Sequence, residues 1–89
     1  MNWRLTADPG FFTSLDQLED TDEIAALAEK LILRIKASPL RAEPIGHTKV
    51  RGVRGGTPGT RFPTLVLFYT AEEGVIRLLR LERDVPAQV

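Results

Sequence analysis

The chain has 89 residues, 43% of them hydrophobic and 27% charged, and its twelve basic and twelve acidic side chains leave no net charge at pH 7. That length holds one core, so a single domain over residues 1–89 is expected, and the composition excludes disordered and fibrous classes. No run of about eighteen apolar residues occurs and the opening Met1-Asn2-Trp3-Arg4-Leu5-Thr6 lacks a basic-then-apolar leader, which predicts a cytoplasmic protein with no membrane partner.

Asn2 to Ala7 alternates Trp3, Leu5 and Ala7 with Asn2, Arg4 and Thr6, the period of a half-buried strand. Asp8-Pro9 then reads as a helix start, with the Asp side chain able to accept from free backbone N–H groups and Pro suited to the first helical position. Phe11, Phe12, Leu15 and Leu18 follow at helical spacing, which predicts a helix over Pro9 to Leu18. Asp20-Thr21-Asp22-Glu23 is a second start signal of the capping-box kind. Ile24, Leu27, Ala28, Leu31, Ile32 and Ile35 then recur every three or four residues, one stripe of a helix ending near Ala37, before Ser38-Pro39.

Residues 1–30 carry two basic and seven acidic groups, whereas residues 34–61 carry seven basic groups against Glu43 alone. Acids in the first turn of the second helix and Arg34 and Lys36 in its last match the helix dipole, so the acidic half needs no ligand to explain it. The basic middle suggests one anion-facing side.

Beyond a linker with Pro39 and Pro44, His47 to Arg54 alternates basic and apolar residues, a strand that would set Lys49 and Arg51 on one face and Val50 on the other. Gly55-Gly56-Thr57-Pro58-Gly59 reads as a turn, and it lacks the Gly-Lys-Ser/Thr ending of a phosphate loop. Leu65 to Tyr69 is apolar on both faces, as in a central strand. Ala71-Glu72-Glu73-Gly74 turns the chain into a last strand, Val75 to Arg83, antiparallel to it. Regular alternation there would put Arg77 and Arg80 on opposite faces. The expected architecture is α+β: an N-terminal strand and helical hairpin packed on a mainly antiparallel four-stranded sheet. Ile24, Leu27, Leu31, Ile35, Leu65, Leu67 and Val50 should line its core, and Trp3, Phe11, Phe12, Phe62 and Phe68 should join it.

The chain has no cysteine and a single histidine, which excludes disulfides, thiol nucleophiles and Cys- or multi-His metal sites, so no metal or cofactor is expected. His47 is the only histidine, the residue type best suited to general-base chemistry, but its place before a strand reads as a surface or capping residue. Tyr69, closing an apolar run, reads as a core residue with its hydroxyl at the edge.

The element order, with Lys49-Val50-Arg51-Gly52, Leu65-Val66-Leu67-Phe68-Tyr69 and Ile76 to Asp84, resembles the RelE/ParE superfamily of type II toxin–antitoxin toxins over nearly the whole chain. Members open with a strand and helical hairpin, then give a short basic segment ending in Gly, a central strand ending in Tyr and a final strand leading into an Arg. The resemblance implies a ribosome-dependent mRNA endonuclease, with a cognate antitoxin, the ribosome and mRNA as partners. Positive charge suits that chemistry, because the attacking 2′-oxygen, the crowded phosphorus centre and the leaving oxygen all carry negative charge. It points to Lys49, Arg51, Arg61 and Arg83 as catalytic residues and to Arg54 and Arg80 as RNA-binding ones. The chain departs from the pattern at Thr64-Leu65, where many members carry an Arg. Its tail, Asp84 to Val89, offers no Tyr or His for proton transfer. Those departures, with a pI of 6.6, keep open the alternative of a gyrase poison of the ParE type or a degenerate toxin that still binds an antitoxin.

Overall fold

A computed structural model describes residues 2–18, 22–56 and 64–83. The elements run β1 (Arg4–Ala7), α1 (Pro9–Gln17), α2 (Asp22–Ala37), β2 (Arg51–Gly55), β3 (Leu65–Glu72) and β4 (Val75–Arg83), an α+β arrangement of two helices and one four-stranded sheet. The sheet order is β1-β4-β3-β2, with β1 parallel to β4 and the other two pairings antiparallel. Asp20 and Thr21 of the expected capping box, the Thr57–Gly59 part of the glycine-rich turn, Phe62 and the tail from Asp84 lie outside the described residues, and so does Arg61.

The core follows the apolar periodicity. Ile24, Ala28, Leu31 and Ile35 of α2 are buried against Leu65, Leu67 and Tyr69 of β3 and Ile76, Leu78 and Leu81 of β4, with Phe11 and Leu18 completing the cluster. Leu27 is half-buried against it, as are Trp3, Leu15 and Val53. The backbone of β2 lies so close to α2 that a Cβ on Gly55 would sit 2.6 Å from Leu31 Cδ2.

Three expected core residues lie elsewhere, among them Phe68, which alternation in β3 turns to the sheet face opposite the helices, half-buried and outside the core cluster. Phe12 is 58% exposed and touches Phe11 edge to face, because the buried stripe of α1 runs through Phe11 and Ser14 instead. Val50 lies before β2, half-buried and outside the core cluster.

The alternating run 47–54 also forms less strand than its pattern predicts. Residues 45–50 make a tight loop: the Ile45 N–H donates to the Val50 carbonyl at 2.8 Å, Gly46 takes φ +58, and Thr48 Oγ1 donates to the Ile45 carbonyl at 2.6 Å while accepting from the Val50 N–H. A Thr that satisfies its neighbours' backbone competes with a ladder, so the strand begins only at Arg51. Asp8 differs too. It stands at the N-cap of α1 with Pro9 following, but its side chain makes no cap bond and its Oδ1 faces Arg77 Nε at 3.7 Å.

The last strand carries a feature that alternation does not reveal. Phe68 pairs with Arg80 but Tyr69 pairs with Leu78, so Leu79 is one residue more than the ladder needs, a β-bulge. The buried side chains therefore fall at Ile76, Leu78 and Leu81. Arg77 and Arg80 end up on the same face, the one opposite the helices, where opposite faces had been expected. On the outer side of β4, β1 pairs only as far as Leu78, and beyond it α1 takes over. There the Leu81 N–H donates to Ser14 Oγ at 2.9 Å, while the Ser14 hydroxyl donates to the Phe11 carbonyl at 2.7 Å.

Candidate functional site

Both helices pack on one side of the sheet, which leaves the other side as the candidate working surface. Register places Arg54, Val66 and Glu82 in one row across that surface, Phe68 and Arg80 in the next, and Thr6, Thr70 and Arg77 in a third. Where this face meets the edge of β2, the chain leaving α2 folds back along the strand and encloses an open cleft of about 750 Å³. Val66 and Phe68 give it apolar lining, Arg34, Arg41, Arg54 and Arg83 give it cations, and Glu43 and Glu82 give it carboxylates. Four guanidiniums against two carboxylates leave the cleft cationic, and planar guanidiniums suit bidentate recognition of phosphate or carboxylate.

A second hollow of about 540 Å³ lies at the other end of the same face, bordered by Arg4, Thr6, Lys49, Thr70 and Arg77 with Glu72 and Glu73. Two of its three cations face acids. Lys49 Nζ lies 3.1 Å from a Glu72 carboxylate oxygen, and Arg77 faces Asp8. Between the two hollows Arg80 Nη2 lies 2.5 Å from Glu82 Oε1. These pairs are largely exposed and each is worth at most about 1 kcal/mol, so a polyanion could displace the acids at small cost.

The residues singled out from sequence are distributed unevenly. Arg54 and Arg83 border the larger cleft, and Arg80 reaches it through Glu82. Lys49 stands in the loop before β2, beside the second hollow. Arg51 lies opposite Tyr69 on the helix side, and its Nη1 donates to the Ala42 carbonyl and, at 3.3 Å, to that of Leu40. Lys49 and Arg51 therefore do not share the face that the alternating pattern implied. Arg34 and Arg41 were not anticipated at the site. Both were counted in the basic middle of the chain, but the first also matched the helix dipole and the second lies in a linker without periodicity. Arg34 Nη1 also donates to the Arg54 carbonyl at 3.0 Å, which ties the end of α2 to β2.

Tyr69 is fully buried and donates its hydroxyl to the Pro39 carbonyl at 2.8 Å. Burial pushes its phenol above the ordinary value of 10.0, with the Arg51 guanidinium pulling the other way. A buried, hydrogen-bonded phenol is not available to move a substrate proton. His47 is exposed in the 45–50 loop and does not border the larger cleft. Among the described residues, no group of three His, Asp or Glu side chains is placed to hold a metal ion. No helix among them is long and apolar enough to cross a membrane. No protein-family model matches the chain, and no curated protein matches it significantly.

Proposed function

We propose that this chain is a RelE/ParE-type toxin of a type II toxin–antitoxin system, and that it uses the uncovered sheet face and its cationic cleft to engage mRNA on the ribosome as an endonuclease. The observation that carries the reading is the cleft itself: arginines from α2, the following linker, β2 and β4 border it together with Val66 and Phe68. Element order supports it as well, since a strand, a helical hairpin and three strands ending in an Arg is what the resemblance calls for. In this reading Arg54 and Arg83 hold the scissile phosphate and stabilise the charge that builds on its oxygens. An acidic antitoxin segment would cover the same cations. The protein would work in the cytoplasm, where ribosomes and antitoxin are found.

The test is cleavage of ribosome-bound mRNA by the wild-type chain and by Arg54→Ala, Arg83→Ala and His47→Ala variants. Loss of one guanidinium that stabilises the transition state lowers the rate about a hundredfold, and the histidine change leaves it near wild type. Intact mRNA with the wild-type chain sinks the endonuclease reading.

A non-catalytic reading, as a gyrase poison or an antitoxin-binding homologue without activity, is favoured by one observation. Tyr69 is engaged in the core and His47 lies off the larger cleft, so neither supplies proton transfer there. Growth arrest with stalled gyrase and uncut mRNA would select it.

A further inference from the structure

The strap of residues 38–45 between α2 and β2 borders the larger cleft through Ser38, Arg41, Ala42, Glu43 and Ile45, and the carbonyls of Pro39, Leu40 and Ala42 accept hydrogen bonds from the sheet. Those carbonyls are held by two side chains that face each other across the β2–β3 ladder. Tyr69 donates its hydroxyl to Pro39, and Arg51 donates Nη1 to Leu40 and Ala42. Pro39 is itself buried. A further tie comes from the backbone, where Pro44 bridges to Arg51.

We propose that Arg51 and Tyr69 together are positioning residues that latch this strap to the sheet and so fix Arg41 on the rim of the cleft. The proposal rests on the reading of that cleft as the working site. A five-residue edge strand and one short bridge are a weak anchor for a strap without secondary structure of its own. Two side chains rooted in the sheet, one of them in the fully buried heart of β3, give it a fixed place. With the carbonyls of Pro39, Leu40 and Ala42 held, the strap on both sides of Arg41 is pinned, and Arg41 is kept beside the cleft that Ala42 and Glu43 also border. Arg51 is accordingly not expected to touch phosphate, although it sits in the basic segment.

The experiment compares the wild-type chain with Tyr69→Phe, which removes one oxygen and keeps the ring. Amide hydrogen exchange should rise about tenfold at Arg41 and Ile45, whose N–H groups bond to Ser38 and Val50, and stay unchanged at Leu81 in β4. Equal acceleration at Leu81, or no acceleration at Arg41 and Ile45, overturns the latch. Binding of an oligouridine of about twelve nucleotides gives a second readout. The slope of log affinity against log salt should weaken by about 0.7 in both Arg41→Ala and Tyr69→Phe, and no further in the double variant. A Tyr69→Phe slope equal to wild type, beside a weakened Arg41→Ala slope, also overturns it. If the wild-type chain binds no oligouridine, the functional reading of the cleft fails, and the exchange measurement alone decides the latch.

Discussion

Replacing Ser14 by Ala removes a single oxygen from α1, and two opposing effects can be weighed from its surroundings. The loss is large because Ser14 is 8% exposed and its Oγ is the acceptor for the Leu81 N–H on the part of β4 that β1 does not reach. A buried donor left without a partner costs about 1–3 kcal/mol. The gain is smaller, since Ala exceeds Ser in helix propensity by about 0.5 kcal/mol. The net expectation is a destabilisation of about 1–2 kcal/mol, and for a domain of this size each kcal/mol lowers Tm by about 4–8 °C. Thermal and urea unfolding followed by circular dichroism measure it, with Thr13→Ala as the control. Thr13 occupies the next position, and its hydroxyl donates only to the exposed Pro9 carbonyl of its own helix. If Ser14→Ala melts within a degree or two of Thr13→Ala, the hydroxyl is not what satisfies the strand, and the account of how α1 docks on β4 is wrong.

Gly55→Ala should destabilise by about 1–3 kcal/mol, because the new methyl must displace Leu31, which is 1% exposed. A double variant that also carries Leu31→Val should recover part of the loss in a chemical unfolding series. Glu73 holds φ 52 beside Gly74 at φ 76 in the two-residue β3–β4 turn, so Glu73→Asn should stabilise by about 0.5–1 kcal/mol in the same measurement. Tyr69 sets an alkaline limit. Its folded value is raised above 10.0, so the unfolded chain gives up that proton first, and stability is fully present below pH 10 and falls as pH rises past it. Tm measured against pH should show that fall in the wild-type chain and a shallower one in Tyr69→Phe.

What the sequence made legible was local. The helix stripe from Ile24 to Ile35 and the stop at Ser38-Pro39 follow from neighbours within a few residues and are found where expected, while the turn expected over Ala71 to Gly74 is confined to Glu73-Gly74 because β3 continues through Glu72. The Leu79 bulge was not legible, because it arises from the pairing of β4 with β3 and from the support of α1, which lies more than sixty residues away in sequence. Its consequence for the site is direct, since it brings Arg77 and Arg80 to one face. The roles of Arg51 and Arg41 were hidden for a similar reason. Alternation records which residues are basic, but the carbonyls that capture a guanidinium come from a strap with no pattern of its own. Arg54 and Arg83 were singled out by the family resemblance, and alternation had already placed each at the end of an expected strand.

The lengths of the four strands have a consequence for how copies of this protein behave near one another. The inner pair, β3 and β4, run eight and nine residues, whereas the outer pair, β1 and β2, run four and five. With no net charge at pH 7, long-range repulsion does little to keep two molecules apart in concentrated solution. Protection against edge-to-edge growth must then come from shape: a short rim on one side, and on the other a strand already engaged by Pro44 and Arg34. A change that loosened the contacts along β2 would expose the sheet as a template, and loss of solubility would be its first visible effect.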